Sequence, residues 1–189
     1  MITTTTRRAS RRSALAFAAL AGITFDVHIL VRDDGTGKLA ATYTATPISN
    51  NQTETFRFNS PVTETKRVKI AKGMAKVRVD VKDVSAIAQA PELSLTTVEL
   101  GPVEDGKRTI RAVIRGPVAE FTGEAGAVPA RIRLTLPGTV LQSSGKQESR
   151  RSVGWTAPIA QYFSKDGIPI EATYETRGAG GTGRDEAGG

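Results

Sequence analysis

The sequence predicts an α+β domain, predominantly antiparallel β-sheet with one or two short helices. Three observations carry this class. Apolar and polar residues alternate through most of residues 24–175, the period of a strand with one buried face. Turn residues punctuate these runs, at Asp105-Gly106, Gly116-Pro117, Pro137-Gly138, Ser144-Gly145 and Asp166-Gly167. No stretch shows the three-to-four-residue apolar spacing of a long amphipathic helix.

The elements follow in order. In TFDVHILVR, Phe25, Val27, Ile29 and Val31 alternate with Asp26, His28, Leu30 and Arg32. DDGTGK then supplies Gly35 and Gly37 for a reversal, and LAATYTAT continues with Leu39, Ala41, Tyr43 and Ala45 on one face. This is a hairpin pattern. Residues 47–60 are polar and irregular, and fit a loop or a short helix. VTETKRVKIA and KVRVDVKDV are two more strands around Lys72-Gly73. In the second, Val77, Val79 and Val81 face one way, with Lys76, Arg78, Asp80 and Lys82 on the other side. VSAIAQAPEL allows one or two helical turns before Pro91. LSLTTVEL, RTIRAVIRG, ARIRLTLPG, VGWTAP and IPIEATYE complete the strands.

A chain of 189 residues makes one ordinary domain. It holds six Phe, three Tyr and one Trp, so the core must come from Val, Ile, Leu and Ala. Cysteine is absent, which excludes disulfides, Fe–S clusters and Cys-ligated zinc. The formal charge of +7 points to an anionic partner, but the N-terminal Arg7, Arg8, Arg11 and Arg12 account for four of it, leaving +3.

Residues 1–22 fit a signal-peptide leader: a basic start, a short Ala-rich apolar run from Ala14 to Ala21, and a small-residue end. The run is far shorter than the roughly 20 residues that span a bilayer. Leu20-Ala21-Gly22 matches the box that precedes a lipid-bearing cysteine, but Ile23 stands where that thiol belongs. Ala19-Leu20-Ala21 offers cleavage before Gly22 without lipidation. The expected organisation is a leader over 1–22, a β-rich domain over 23–176 and a Gly-rich disordered tail over 177–189. An exported protein, in the envelope or outside the cell and at most peripheral on a membrane, is the expectation.

One stretch goes beyond generic strands. IRLTLPGTVLQSSGKQESRRSVGWTAP runs from an apolar strand into Pro137-Gly138, then Val140, a turn at Ser144-Gly145, a polar linker, and Val153 with Trp155. This pattern resembles the LppM-like domain of bacterial envelope lipoproteins, and VHILVRDDGTGKLAATYT is similar to the start of that domain. The resemblance implies an exported α+β domain suspected of lipid or glycolipid contact, with no established enzymatic activity. Each motif residue also has a physical role to expect. Pro137 ends a strand and Gly138 supplies the φ of the reversal. Gly145 makes the second turn, and Trp155 anchors the core with its indole N–H on a backbone acceptor.

Signs of catalysis are weak. His28 is the only histidine, placed beside Asp26, and no G-x-S-x-G marks a nucleophile. DDGTGK fails as a phosphate loop, because Arg32 stands where a glycine is needed and Leu39 where Ser or Thr is needed. It also lacks the alternating acids of a calcium loop. Asp26, Glu120 and Glu171 are possible carboxylates without a pattern. The expectation is no enzyme, no cofactor and no metal.

The remaining signal is cationic. Lys66, Arg67, Lys69, Lys76, Arg78 and Lys82 crowd two successive strands. Arg111 with Arg115, and Arg131 with Arg133, repeat the device. Were these strands neighbours, they would form a basic sheet face for anionic lipid or glycolipid headgroups or another envelope component. The alternative is a structural or protein-interaction module whose basic residues only solubilise it and guard its edges. Nucleic acid fits less well, since the basic strands carry almost no aromatics for base stacking.

Overall fold

The computed structural model describes residues 24–44, 57–71, 73–90, 93, 96–116 and 124–176. The leader, the Gly-rich tail, residues 45–56, Lys72 and Glu120 lie outside the described residues. Among the described residues, eleven strands form two sheets.

The first sheet grows from the expected hairpin. β1 (Thr24–Val31) pairs antiparallel with β2 (Gly37–Thr44), Val27 opposite Ala41 and Ile29 opposite Leu39. Its turn is held by the Asp34 carboxylate, which accepts from the Thr36 N–H at 2.9 Å and the Thr36 hydroxyl at 2.7 Å. Those two bonds hold the Asp34 carboxyl below its ordinary range, and they identify DDGTGK as a side-chain-stapled turn. β3 (Thr63–Ala71) and β4 (Met74–Val81) form the next hairpin, with β4 docked on β2. On the other side of β1 come β7 (Pro129–Thr135), β10 (Ser152–Pro158) and β9 (Lys146–Ser149), giving the order β3-β4-β2-β1-β7-β10-β9. The β1·β7 pair is parallel, and a parallel pair needs a long crossover. Here the crossover contains the second hairpin and much of the other sheet.

The second sheet has the order β5-β6-β11-β8, from β5 (Thr97–Glu104), β6 (Lys107–Ile114), β11 (Ile168–Glu175) and β8 (Val140–Ser143). Asp105 and Gly106 both have positive φ, 47° and 71°, at the β5–β6 turn. This is the backbone that Asp-Gly favours in two-residue hairpins.

Among the described residues, helix is confined to single turns: α1 (Glu124–Ala127), α2 (Ile159–Tyr162) and a 3-10 turn at Ile87–Gln89 within the expected VSAIAQAPEL. The architecture is therefore a β-rich two-sheet sandwich, mostly antiparallel, and only loosely α+β. Two boundaries also differ from the sequence reading. β5 begins at Thr97, four residues after Leu93. The expected polar linker after Gly145 contains β9, whose four residues are all exposed and so carry no alternation to read.

The two inner faces meet in one core. Val77, Val79, Ile132, Leu134 and Val153 from the first sheet meet Ile110, Ile170 and Ala172 from the second, all nearly or fully inaccessible. Each buried Val, Leu or Ile side chain contributes on the order of 1.5–3 kcal/mol. The cavity between the sheets is only about 10 Å³, against roughly 300–1,000 Å³ for small-molecule sites. That space has no room for a small-molecule ligand.

Candidate functional site on the outer face of the seven-stranded sheet

The strand order fixes which basic residues meet. Across the outer face, residues in register form rows perpendicular to the strands. One row runs Arg67, Arg78, Ala40, His28, Arg133, Gly154 and Lys146. The next runs Lys69, Lys76, Thr42, Asp26, Arg131 and Thr156. A third holds Glu64, Asp80, Lys38, Leu30, Thr135 and Ser152. Lys82 follows directly after β4 and is exposed.

The β3–β4 ribbon is the densest cationic part. Arg67 stands opposite Arg78, and Lys69 opposite Lys76, all exposed. Like charges directly opposite across a pair of strands are destabilising. The third row is balanced by contrast: Lys66 reaches Glu64 at 2.6 Å and Asp80 at 3.9 Å. A β-bulge creates the difference. The register shifts between Thr65 and Arg67, so Lys66 is an extra residue with no partner of its own. Thr63 and Thr65 precede it opposite the buried Val81 and Val79, and Val68 follows opposite Val77. Without the extra residue, strict alternation from Thr63 would carry Val68 outward. The bulge corrects the phase, and leaves both Lys66 and Arg67 on the solvent side.

The structure does not unite all the expected basic residues. Arg131 and Arg133 share the sheet, but β2 and β1 separate them from β4. Glu148 of the edge strand β9 crosses over Gly154 to bind Arg133. A Cβ on Gly154 would come within 2.5 Å of that carboxylate. Arg111 and Arg115 belong to the other sheet. Arg111 lies between Glu99 and Glu171 and binds Glu171 at 3.1 Å, while Arg115 donates to the Lys165 carbonyl at 2.7 Å. Those two do not join the basic face. Lys38 does join it, and was not among the expected site residues. Its outward place between Gly37 and the inward Leu39 was readable, but its approach to β4 depended on strand order.

His28 sits mid-sheet, half-buried, with Nε2 at 2.9 Å from the Thr135 hydroxyl, which in turn meets the Ser152 hydroxyl at 2.9 Å. Burial, and secondarily the Arg133 guanidinium, lower its pKa, partly opposed by Glu148. Neutral imidazole is thus favoured. Asp26 Oδ1 is buried without a hydrogen-bond partner. Among the described residues, no group of three or more His, Asp or Glu could hold a metal ion, and no helix is long and apolar enough to cross a membrane.

The residues of the Pro-Gly to Trp stretch form a clasp between the sheets. β7 leaves the first sheet through Leu136, Pro137 and Gly138, and β8 enters the second. Gly138 does not have the positive φ expected of it. Its role is close approach: a Cβ there would lie 1.6 Å from the Glu175 carbonyl of β11. Trp155 packs half-buried at the margin of the core, and its indole N–H donates to the Ser144 hydroxyl at 3.0 Å, a side-chain acceptor in place of the expected backbone one. The same hydroxyl accepts from the Glu171 N–H at 3.0 Å, and the Ser144 N–H donates to the Glu171 carbonyl at 2.9 Å. Ser144 thus ties β10 of one sheet to β11 of the other. Gly145 makes room for this, since a Cβ there would meet the indole at 2.5 Å.

Comparison with known proteins agrees with this topology. The solved NMR structure of the folded domain of Mycobacterium tuberculosis LppM is similar, with a TM-score of 0.53 over 83% of this chain and 91% of that one, at 11% identity. No family model matches the chain, and no curated protein matches it.

Proposed function

We propose, from the fold it shares with the LppM folded domain, that this is an exported, non-enzymatic domain of the cell envelope that binds an anionic envelope component, such as lipid or glycolipid headgroups, through the outer face of its seven-stranded sheet. The observation that carries this reading is the uncompensated charge of the β3–β4 ribbon. Arg67, Arg78, Lys69 and Lys76 make no ion pair or hydrogen bond among the described residues, although Lys66 beside them is paired twice. Near an anionic membrane each basic residue contributes on the order of 1 kcal/mol. The LppM-like resemblance supports the envelope setting. The close packing between the two sheets, with a cavity of only about 10 Å³ among the described residues, supports a surface mode of contact.

A structural or protein-interaction module is the second reading. The Arg133–Glu148 and Arg111–Glu171 pairs favour it, since they neutralise part of the basic signal within the fold. Vesicle flotation separates the two. The lipid reading expects recovery with anionic vesicles at low salt and release in high salt, where the Debye length shrinks to about 3 Å. Equal recovery with neutral and anionic vesicles would reject it.

A further inference from the structure

We infer that the β3–β4 ribbon is a site for a phosphate monoester, with Arg67 and Arg78 on one rung and Lys69 and Lys76 on the next. This deepens the proposed function and rests on its premise that the basic face meets an anionic component. The argument begins from spacing. Opposed Cβ atoms lie about 5 Å apart across a pair of strands, and same-face residues about 7 Å apart along a strand. Four cationic side chains therefore rise around an area of one phosphate group. A broad membrane-facing plane would spread such charges over the sheet; here the neighbouring strand β2 places small Ala40 and Thr42 on the same two rows. That leaves lateral room beside Arg78 and Lys76 for the rest of a ligand.

The chemistry then selects the class. Guanidinium groups bind phosphate oxygens in bidentate fashion, and lysines add point charge. A phosphodiester has one negative charge and two non-bridging oxygens. A monoester approaches two charges and has three such oxygens, enough to engage both rungs at once. The free protein stores like-charge repulsion on each rung, and a dianion relieves both. The adjacent Glu64 and Asp80 are offset by Lys66, which reaches both, and by Lys38 in register with Asp80, so that row adds little net charge to the site.

The test uses the full chain and phosphatidylcholine vesicles doped with phosphatidic acid, a monoester, or phosphatidylglycerol, a diester, matched in surface potential. A soluble arm titrates glycerol 3-phosphate and follows the backbone amides of residues 67–69 and 76–78 by NMR. The inference expects at least roughly tenfold tighter binding to the phosphatidic acid vesicles. It also expects amide shifts in both strands with glycerol 3-phosphate. R67Q/K69Q should weaken phosphatidic acid binding by roughly 30-fold while R111Q, on the other sheet, keeps the preference. Thermal unfolding checks the variant's fold; relief of like-charge repulsion predicts an unchanged or higher Tm. Equal affinity for the two vesicles, or a preference that survives R67Q/K69Q, overturns the inference. Salt-sensitive binding to both vesicles alike would do so while leaving the wider reading intact. Amide shifts with glycerol 3-phosphate, lost in R67Q/K69Q but without any vesicle retention, would uphold the phosphate site and reject the lipid reading.

Discussion

Ser144 is a small residue with a large share of the inter-sheet contact. Its hydroxyl serves the Trp155 indole and the Glu171 amide together. Ser144→Ala leaves both donors short of a partner, and each such loss costs about 1–3 kcal/mol when the donor is shielded from water. Both sites are partly solvated, so a loss near the lower end is expected in chemical denaturation. The emission of Trp155, the only tryptophan, should shift toward that of a solvated indole. Gly138→Ala should be worse, because its Cβ would strike the Glu175 backbone; overpacking of this kind costs about 1–3 kcal/mol or more. His28 gives a pH prediction. Its pKa lies below 6.5 in the folded chain, so the unfolded chain binds more protons between the two values. Stability is therefore full above 6.5 and falls as pH drops from there through the folded pKa. NMR titration should find that Arg133→Gln raises the His28 pKa, since that guanidinium lowers it. An unchanged or lower value would contradict this electrostatic assignment. The motif glycines were legible in the sequence as turn residues, but their steric reasons were not. Gly138 and Gly145 answer to Glu175 and Trp155, neighbours that only the fold supplies.

At the scale of elements, legibility depended on burial. β1, β2 and β4 each bury one face, and their alternation was plain. β9 buries neither face, so its residues read as a linker. β3 was legible as a strand, but its bulge was not recognised. The signal was there: Lys66 and Arg67 are consecutive polar residues flanked by Thr65 and Val68, a break in a period-two pattern. The bulge has a testable consequence. Arg67→Glu would place opposite charges on the rung with Arg78, and an isolated cross-strand ion pair is worth about 0.2–1 kcal/mol. The variant should be slightly more stable than the wild type at low salt, with the gain shrinking as salt rises. A loss of several degrees in Tm would mean that Arg67 holds the edge by contacts other than charge.

At the scale of the molecule, two faces differ in charge compensation. The four-stranded sheet sets Arg111 between Glu99 and Glu171, while the seven-stranded sheet leaves Arg67, Lys69, Lys76 and Arg78 of the β3–β4 ribbon without an ion pair among the described residues. The grouping of basic residues by strand was readable in the sequence. Their assignment to sheets was not, because β6 and β7 differ little in pattern and separate only through long-range pairing. The proposed orientation puts the outer face of the seven-stranded sheet against the envelope and the other face away from it. Salt-dependent flotation of three full-length chains on anionic vesicles tests this most directly: wild type, R67E/K69E and R111E. The account predicts that wild type and R111E float alike at low salt and are released together as salt rises, while R67E/K69E stays unbound throughout. Undiminished flotation of R67E/K69E, with loss in R111E, would contradict it and assign the contact to the opposite sheet.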